Sequence, residues 1–342
     1  MRAVTYRETG PSSVLQVVER DVPDPGPGEV RVKLSRSGVN PTDWKFRSGG
    51  MPGGMAYDAI TPGQDGAGIV DAVGAGVEDV QVGDRVWLVL AQHGRPHGTA
   101  AEYTVQPASR VVPLPEGASY DLGASVGVPA VTAHRALTSA DGGPTRLGPG
   151  ALDGKSVLVA GGAGAVGNAA VQLARWAGAT VITTVSSEEK AGLARAAGAH
   201  HVINYRDSDA TKEILAVARD GVDIAVEVAP AQNIGIDLEV VRVHGLVSIY
   251  ANNGGDEVTI PLRAAFGKNL RIQFLILYTL KDDLVRAATE DVTAAIEAGA
   301  LRIGEDAGLP LHHFPLEDLA AAHDTVEGGA VGKVLLDVAD VS

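Results

Sequence analysis

A glycine-rich turn opens a predicted helix in the middle of the chain. The strand-like run SVLVA, residues 156–160, is followed by GGAGAVG, in which Gly162, Gly164 and Gly167 fit the spacing G-x-G-x-x-G. In such a turn the first glycine permits a tight bend, the second lets a pyrophosphate approach the backbone, and the third lets helix and strand touch. N–H groups at the helix N-terminus then receive the anion. The pattern predicts dinucleotide binding, with a ligand-free glycine turn as the alternative.

The next strand is followed by TTVSSEEK, residues 183–190, which bears on the choice of dinucleotide. A site for NAD usually has Asp or Glu about 20 residues after the glycines, and Ser186 stands there. Ser186 and Ser187 can donate hydrogen bonds, and Lys190 supplies positive charge, so the sequence favours NADPH over NADH. Ser186 could instead cap the following helix in a box with Glu189, and both roles can coexist.

Two kinds of secondary-structure pattern must position these residues. A chain of 342 residues exceeds one ordinary core, so we expect two domains. Up to about residue 125, short β-rich runs separated by Gly and Pro clusters predict an antiparallel or barrel-like unit. From Ser156 onward strands and helices alternate, which predicts βαβ units on a doubly wound parallel sheet. The predicted fold class is therefore α/β with a second, β-rich domain.

Composition excludes several classes of function. With 42 acidic and 28 basic side chains the net charge is −14, so nucleic acid is not expected as a partner. The chain has no cysteine, which excludes thiolate nucleophiles and Cys-based metal sites. No apolar run approaches the roughly 20 residues of a membrane helix, and no signal peptide is evident, so we expect a cytoplasmic protein. His93 and His97 are spaced like metal ligands, but Pro96 and neighbouring glycines predict a loop.

Seven segments together resemble the medium-chain dehydrogenase/reductase superfamily, and within it the zinc-free quinone oxidoreductases typified by zeta-crystallin. They are GVNPTDWKFRSG (38–49), PGQDGAGIVDAVGAGVEDVQVGDRV (62–86), GTAAEYTV (98–105), GVPAVTAHRAL (127–137), VLVAGGAGAVG (157–167), GAHHVINYR (198–206) and GKVLL (332–336). The resemblance covers nearly the whole chain. It implies a GroES-like catalytic domain of residues 1–126 and 281–342 and a Rossmann NADP-binding domain of residues 127–280.

The resemblance also implies a reaction without metal. Asn40 and Gln64 stand where zinc-dependent members have a Cys and a His ligand, and neutral amides bind zinc weakly. It therefore implies an NADPH:quinone reductase that transfers hydride or electrons directly to a small quinone or enone. The alternatives are an enoyl-thioester (2-enoyl-CoA) reductase and a non-enzymatic NADPH-binding crystallin or RNA-regulatory protein. A homodimer is also implied, with RIQFLILY, residues 271–278, as the candidate interface.

Individual site residues follow from the same resemblance. Asn40, Lys45 and Thr132 are the implied catalytic residues: Asn40 near the nicotinamide and acceptor, Lys45 in the acceptor pocket and Thr132 close to the cofactor. Asn40 could instead simply form a turn, and Thr132 could simply pack in a helix. Lys45 stands where the family typically has a tyrosine. The residues implied at the dinucleotide are Ala163, Gly164, Ala165, Val166 and Gly167 at the pyrophosphate, Ser186, Ser187, Lys190 and Tyr205 at the 2′-phosphate, Asn233, Tyr250, Ala251, Asn252 and Asn253 at strand ends, Leu275, Ile276 and Leu277 near the nicotinamide, and Lys333. For Lys333 a purely structural role is the alternative. Tyr205 could equally be a half-buried aromatic at a strand end, and core packing could equally explain the side chains of Leu275–Leu277.

Overall fold

A computed structural model describes residues 1–50 and 54–341 of the chain, so Ser342, the last residue of the predicted segment 281–342, lies outside the described residues. The strands are β1 (Arg2–Thr5), β2 (Gln16–Glu19), β3 (Glu29–Val39), β4 (Asp65–Val73), β5 (Arg85–Leu88), β6 (Tyr103–Pro107), β7 (Val111–Pro113), β8 (Ser156–Ala160), β9 (Thr180–Val185), β10 (His201–Asn204), β11 (Val222–Glu227), β12 (Val241–Ile249), β13 (Arg271–Phe274), β14 (Leu311–Pro315) and β15 (Lys333–Asp337). The α-helices are α1 (Pro41–Ser48), α2 (Tyr120–Leu137), α3 (Ala165–Trp176), α4 (Glu188–Ala196), α5 (Ala210–Val217), α6 (Pro230–Val240), α7 (Leu262–Gly267), α8 (Asp282–Glu297) and α9 (Leu319–Glu327).

The alternating middle of the chain forms the predicted parallel sheet. Within the described ranges its strand order is β10-β9-β8-β11-β12-β13, with every neighbouring pair parallel. Apolar β-branched runs occupy β8 and β11 because both faces of a parallel sheet are covered by helices. Helix α3 buries Ala170, Leu173 and Ala174 completely, so its small residues let it lie close to the sheet. The prediction of a doubly wound domain is confirmed.

The order of strands in this sheet reverses at β8. Strands β9 and β10 lie on one side of β8, whereas β11, β12 and β13 lie on the other. In doubly wound folds ligands bind outside the carboxyl ends of the strands at such a reversal. The glycine turn begins directly after β8, so the fold places it at this position.

The β-rich part of the chain forms a mainly antiparallel sheet. Its order is β14-β15-β3-β4-β5-β7, and β6 also pairs with β3. The eleven-residue β3 pairs with three strands, and its buried Val30, Val32 and Leu34 lie in the core of this unit. Strand β15 pairs with the end of β3, with Val334 opposite Val39. This register brings Lys333 next to Asn40, which lies 293 residues earlier in the chain.

Contacts within the chain divide it into two units. One consists of residues Met1–Val128 and Pro310–Ser342, and the other of residues Pro129–Leu309. The predicted boundaries at 126/127 and 280/281 are boundaries between folding domains, and they stay a prediction. In the division by contacts, residues 281–309 belong to the parallel-sheet unit. Among the described residues, no helix is both long and apolar enough to cross a membrane.

Candidate active site

The glycine turn of the parallel-sheet unit is tightly constrained. Gly161 has a φ of +70°, so the left-handed bend falls one residue before the predicted motif. A Cβ at Gly162 would lie 2.2 Å from Thr183 Oγ1, and one at Gly167 would lie 2.3 Å from Gly161 O. Gly162 and Gly167 are therefore required by close approach to β9 and to the turn itself. The role of Gly161 was missed because the motif spacing starts at Gly162.

The second glycine of the motif leaves space for a ligand. Gly164 is the N-cap of α3, and the nearest atom to a Cβ built on it is Gly161 O at 3.5 Å. The first N–H groups of α3, at Ala165, Val166 and Gly167, have no acceptor within an α-helix. Open space beside these donors and the positive end of the helix suits a pyrophosphate. Ala163 is buried, whereas Gly164 is exposed, so the residues of this turn fit a dinucleotide.

The end of β9 brings Ser186 and Lys190 together. Lys190 Nζ donates to Ser186 Oγ at 3.3 Å, and both residues are half-buried. The alternative in which Ser186 caps the next helix is wrong, since the N-cap of α4 is Ser187, whose Oγ accepts from the backbone N–H of Lys190. The Ser186 side chain therefore does not cap α4. It lies beside the Lys190 ammonium group at the carboxyl end of β9. Tyr205 follows β10, with 49% of its surface exposed.

An open pocket of about 300 Å³ lies at the carboxyl ends of β12 and β13. It is lined by Ile249, Tyr250, Ala251, Asn252, Phe274, Leu275 and Ile276. Five of these residues are among those predicted near the dinucleotide, and the backbone N–H of Leu275 donates to Ile249 O at 2.8 Å. Asn253 donates its backbone N–H to Val228 O, and Leu277 is buried. The structure therefore gathers Tyr250–Asn253 and Leu275–Leu277 at one edge of the sheet.

A second cavity, of about 540 Å³, lies at the ends of β8 to β11. Tyr205 and Asn233 line it, together with the acidic side chains of Glu227 and Asp237. Asn233 Nδ2 donates to Glu227 at 3.1 Å, which ties the predicted Asn233 to a carboxyl group. Burial raises the pKa of Glu227, and burial together with the neighbouring Glu227 raises the pKa of Asp237 well above its usual value. Sequence reasoning missed both acids because Glu227 ends an apolar strand and Asp237 lies within an amphipathic helix.

The β-rich unit contains a buried polar cluster around Asn40. Lys333 Nζ donates to Asn40 Oδ1 at 2.7 Å, and Asn40 Nδ2 donates to Asp65 Oδ2 at 2.8 Å. Lys333 and Asp65 also form an ion pair at 3.3 Å. The exposed fractions are 2% for Asn40, 0% for Asp65 and 2% for Lys333. The structure thus brings together two predicted site residues, Asn40 and Lys333, and adds Asp65, which the sequence did not single out.

A second carboxyl group holds the backbone at Asn40. Asp43 Oδ2 accepts the N–H of Asn40 at 2.7 Å, and Asn40 O accepts the N–H of Asp43 at 3.0 Å. Burial raises the pKa of Asp43 to about 7, and the nearby Asp65 carboxyl adds to the rise. Burial also raises the pKa of Asp65, although Lys333 and the bond from Asn40 oppose this. Asp65 and Lys333 therefore hold the side-chain amide of Asn40, and Asp43 holds its backbone.

The other predicted acceptor residues lie on helices. Lys45, on α1, is half-buried, and its Nζ lies 5.9 Å from the centroid of the Trp44 ring. Thr132 is 7% exposed on α2, in the part of that helix that belongs to the parallel-sheet unit. Their roles at an acceptor stay predictions.

The described part of the chain does not group its acidic and histidine side chains into a metal site. No group of three or more His, Asp or Glu side chains is arranged there to hold a metal ion. Gln64 Nε2 donates to Gln92 Oε1 at 3.0 Å, and His97 Nδ1 lies 3.1 Å from Arg20 Nη1. The side chains of Asn40 and Gln64 themselves are neutral amides, which suit zinc poorly.

Comparison with known proteins agrees with this geometry. Residues 26–116 match the alcohol dehydrogenase GroES-like domain, and residues 165–296 match the zinc-binding dehydrogenase family. Quinone oxidoreductase from Rattus norvegicus is 33% identical over 98% of this chain and 97% of its own length. 2-Haloacrylate reductase from a Burkholderia species is 30% identical over 98% of each chain. The solved Escherichia coli quinone oxidoreductase in complex with NADPH has a TM-score of 0.81, with 26% identity over 99% of this chain and all of its own.

The fold, the glycine turn and these full-length matches define the class. The chain belongs to the medium-chain dehydrogenase/reductase superfamily and is an oxidoreductase. Within that superfamily it is a member of the zeta-crystallin-like quinone oxidoreductase family.

Proposed function

We propose that this protein is an NADPH-dependent reductase that transfers hydride, or electrons, directly to a quinone or enone without a metal ion. The observation that carries the proposal is the buried set of Asn40, Asp65 and Lys333. It offers an amide N–H and a nearby ammonium but neither thiolate nor imidazole. A full-length relative that is a quinone oxidoreductase supports the same acceptor class.

The parallel-sheet unit binds NADPH in this proposal. The turn from Gly161 to Gly167 and the N-terminus of α3 hold the pyrophosphate. Ser186 and Lys190 bind the 2′-phosphate, because a hydroxyl donor and a cation at the end of β9 suit a dianion. Tyr250, Ala251, Asn252, Leu275 and Ile276 border the pocket that would receive the nicotinamide half. When bound, the dinucleotide supplies the hydride, and the protein supplies orientation and electrostatics.

The acceptor must be electron-poor for such a reaction to need no metal. In a quinone or enone the negative charge that develops on hydride addition is delocalised onto oxygen. Asn40 donates a hydrogen bond to that oxygen, and Lys45 and Thr132 border the acceptor. Preorganised donors of this kind are usually the largest contribution to stabilising a transition state.

A second candidate acceptor is an activated carbon–carbon double bond without a quinone ring. The full-length relative that is a 2-haloacrylate reductase supports it. The chemistry is the same as for an enone, since hydride adds to one carbon and charge moves to a carboxylate or carbonyl oxygen. Only the shape and charge of the acceptor differ.

The proposal is tested by following the oxidation of NADPH by its absorbance in the presence of the purified protein and an acceptor. Acceptors are a set of quinones, an α,β-unsaturated ketone, 2-chloroacrylate and an enoyl-CoA, each assayed with and without a chelator. We expect turnover with a quinone or enone that the chelator does not alter. Turnover with enoyl-CoA alone would support a thioester reductase instead, and no turnover with any acceptor would defeat the enzymatic proposal.

We also propose that the protein is a homodimer joined through β13. This strand is at the edge of the parallel sheet. Phe274 and Ile276, and the preceding Leu262 and Phe266, have exposed fractions between 47% and 70%. An edge strand flanked by large apolar side chains is a template for pairing with a second chain.

A further inference from the structure

The side chain of Asn40 has its hydrogen-bond partners outside the helix that it precedes. An Asn at an N-cap normally accepts an N–H of the first helical turn through its side-chain oxygen. Here Asn40 O and the Asp43 carboxyl group make the reciprocal bonds at the start of α1. Asn40 Oδ1 is directed instead to Lys333 Nζ, at 2.7 Å. Helix capping alone therefore does not account for the amide at this position.

The two partners of the amide determine which way it faces. An ammonium group can only donate hydrogen bonds, and an ionised carboxylate can only accept them. Oδ1 faces Lys333, and Nδ2 faces Asp65. Rotating the amide by half a turn would set Nδ2 against the ammonium and Oδ1 against the carboxylate. The ion pair thus allows one orientation and leaves Nδ2 with one hydrogen beyond its bond to Asp65.

The surroundings hold both charged groups in place. Asp65 Oδ1 accepts the backbone N–H of Val128 at 2.7 Å, and a Cβ at Gly127 would lie 2.3 Å from that same oxygen. A Cβ at Gly38 would lie 3.0 Å from Lys333 Cε. Both side chains therefore lie against glycines, in positions that a larger neighbour would not permit.

A pair this deeply buried is not explained by stability. Removing two charges from water costs about as much as their attraction returns, and apolar side chains of similar volume often stabilise a fold equally well. The desolvation cost of this ion pair has an explanation if the pair holds another group in one orientation.

We propose that Asp65 and Lys333 are positioning residues that fix the Asn40 amide so that its remaining Nδ2 hydrogen meets the oxygen of the acceptor. The bond from the ammonium to Oδ1 also polarises the amide, which strengthens N–H donation as charge develops on that oxygen. This inference rests on the proposed function, because it requires Asn40 to contact the acceptor.

The test removes the ion pair without leaving one charge buried alone. The double variant Asp65→Asn with Lys333→Met keeps the volumes but no longer fixes the orientation of the amide. We expect kcat with the quinone to fall by about 10-fold, while the Kd for NADPH stays within about twofold of wild type, since the loss concerns the transition state. The matched control is Glu29→Gln with Arg95→Met, which removes a 2.6 Å ion pair elsewhere in the same unit and leaves kcat unchanged.

Asn40→Ala separates this inference from the proposed function. We expect Asn40→Ala to lower kcat by about 100-fold, as for loss of an oxyanion donor. Removing the ion pair in the Asn40→Ala background should then cost no further kcat, because the pair acts through the amide. An additive loss in kcat would overturn the positioning role while leaving Asn40 at the acceptor. No effect of Asn40→Ala would overturn the proposed role of Asn40 itself.

A second variant covers the case in which the double variant fails to fold. Asp65→Asn alone keeps Lys333 and preserves an oxygen that can accept from Asn40 Nδ2. We expect a smaller fall in kcat that again disappears in the Asn40→Ala background, and Asp65→Glu should not restore the wild-type rate because the longer side chain clashes at Gly127. A full wild-type kcat in folded Asp65→Asn would contradict the proposal.

Discussion

At the scale of single residues, the hydrogen bond between Lys190 and Ser186 argues for selection of the 2′-phosphate. The variant Ser186→Asp with Lys190→Ala exchanges a hydroxyl donor and a cation for a carboxylate that repels phosphate. We expect the Kd for NADPH to rise by about 10-fold to 100-fold, the range for loss of charge-assisted bonds, and the Kd for NADH to change by less than about threefold. Titration followed by the quenching of protein fluorescence measures both constants.

Lys212→Ala is the control for that double variant, since it removes an exposed lysine from another helix of the same unit. We expect it to leave both affinities as in wild type. An equal loss of affinity for NADPH and NADH in Ser186→Asp with Lys190→Ala would show that these side chains do not discriminate the 2′-phosphate.

His323 predicts a dependence of stability on pH. It is 1% exposed on α9, and burial, together with the charge of Arg47, lowers its pKa from 6.5 to about 3. The unfolded chain therefore takes up a proton below pH 6.5 that the folded chain refuses, so His323 costs stability as the pH falls from 6.5 towards 3. His323→Phe should reduce the slope of unfolding free energy against pH in this range by up to about 1.4 kcal/mol per pH unit.

Urea unfolding at several pH values between 4.5 and 8 measures this slope. The exposed His201→Phe is the control and should leave the slope unchanged. An unaltered slope in His323→Phe would mean that the buried imidazole is already charged in the folded state.

Sequence reasoning identified some of these residues and missed others for physical reasons. Gly162, Gly164, Ser186 and Lys190 belong to one local strand–turn–helix–strand unit, so their spacing along the chain is also their arrangement in space. Asp65 was missed because its place in the site depends on contact with Lys333, which lies 268 residues further along the chain. Lys333 was known from resemblance alone, and nothing in a lone lysine near the end of a chain indicates that it is buried.

At the scale of elements, locally specified structure was again predicted, whereas pairing between distant segments was not. Alternating strands and helices predicted β8 to β12 and their helices, because each βα step is specified locally by apolar periodicity. The pairing of β15 with β3 was not predicted, since short apolar strands carry little information about which partner they meet. That pairing nevertheless decides the site: Val334 opposite Val39 sets Lys333 beside Asn40. A slip of one residue would turn the Lys333 side chain to the other face of the sheet.

The end of α3 nearest β8 shows how an element contributes chemistry that no side chain supplies. In the proposed function its first N–H groups, the bend at Gly161 and the open space at Gly164 form an anion site made of backbone alone. Substitution there acts through shape, whereas substitution at Ser186 acts through charge. The parallel-sheet unit thus holds the dinucleotide by two physically separate means in the proposed function.

At the scale of the whole molecule, the exposed apolar side chains near β13 predict an assembly. In an isolated chain of 35.0 kDa, Phe266 would be 70% and Phe274 63% exposed to water. A two-fold axis beside an edge strand lets the strand pair with its own copy, which satisfies the free backbone groups and buries these rings on both chains. We therefore expect wild-type protein to have twice the mass of one chain in solution.

The variant Phe266→Lys with Phe274→Lys tests this expectation by setting like charges against each other across the axis. Multi-angle light scattering should give the mass of one chain for this variant and of two chains for wild type. Val82→Lys, at a 61% exposed valine in the β-rich unit, is the control and should remain a dimer. A wild-type protein that is monomeric at all concentrations would overturn the dimer proposal, whereas a lysine variant that stays dimeric would place the interface elsewhere.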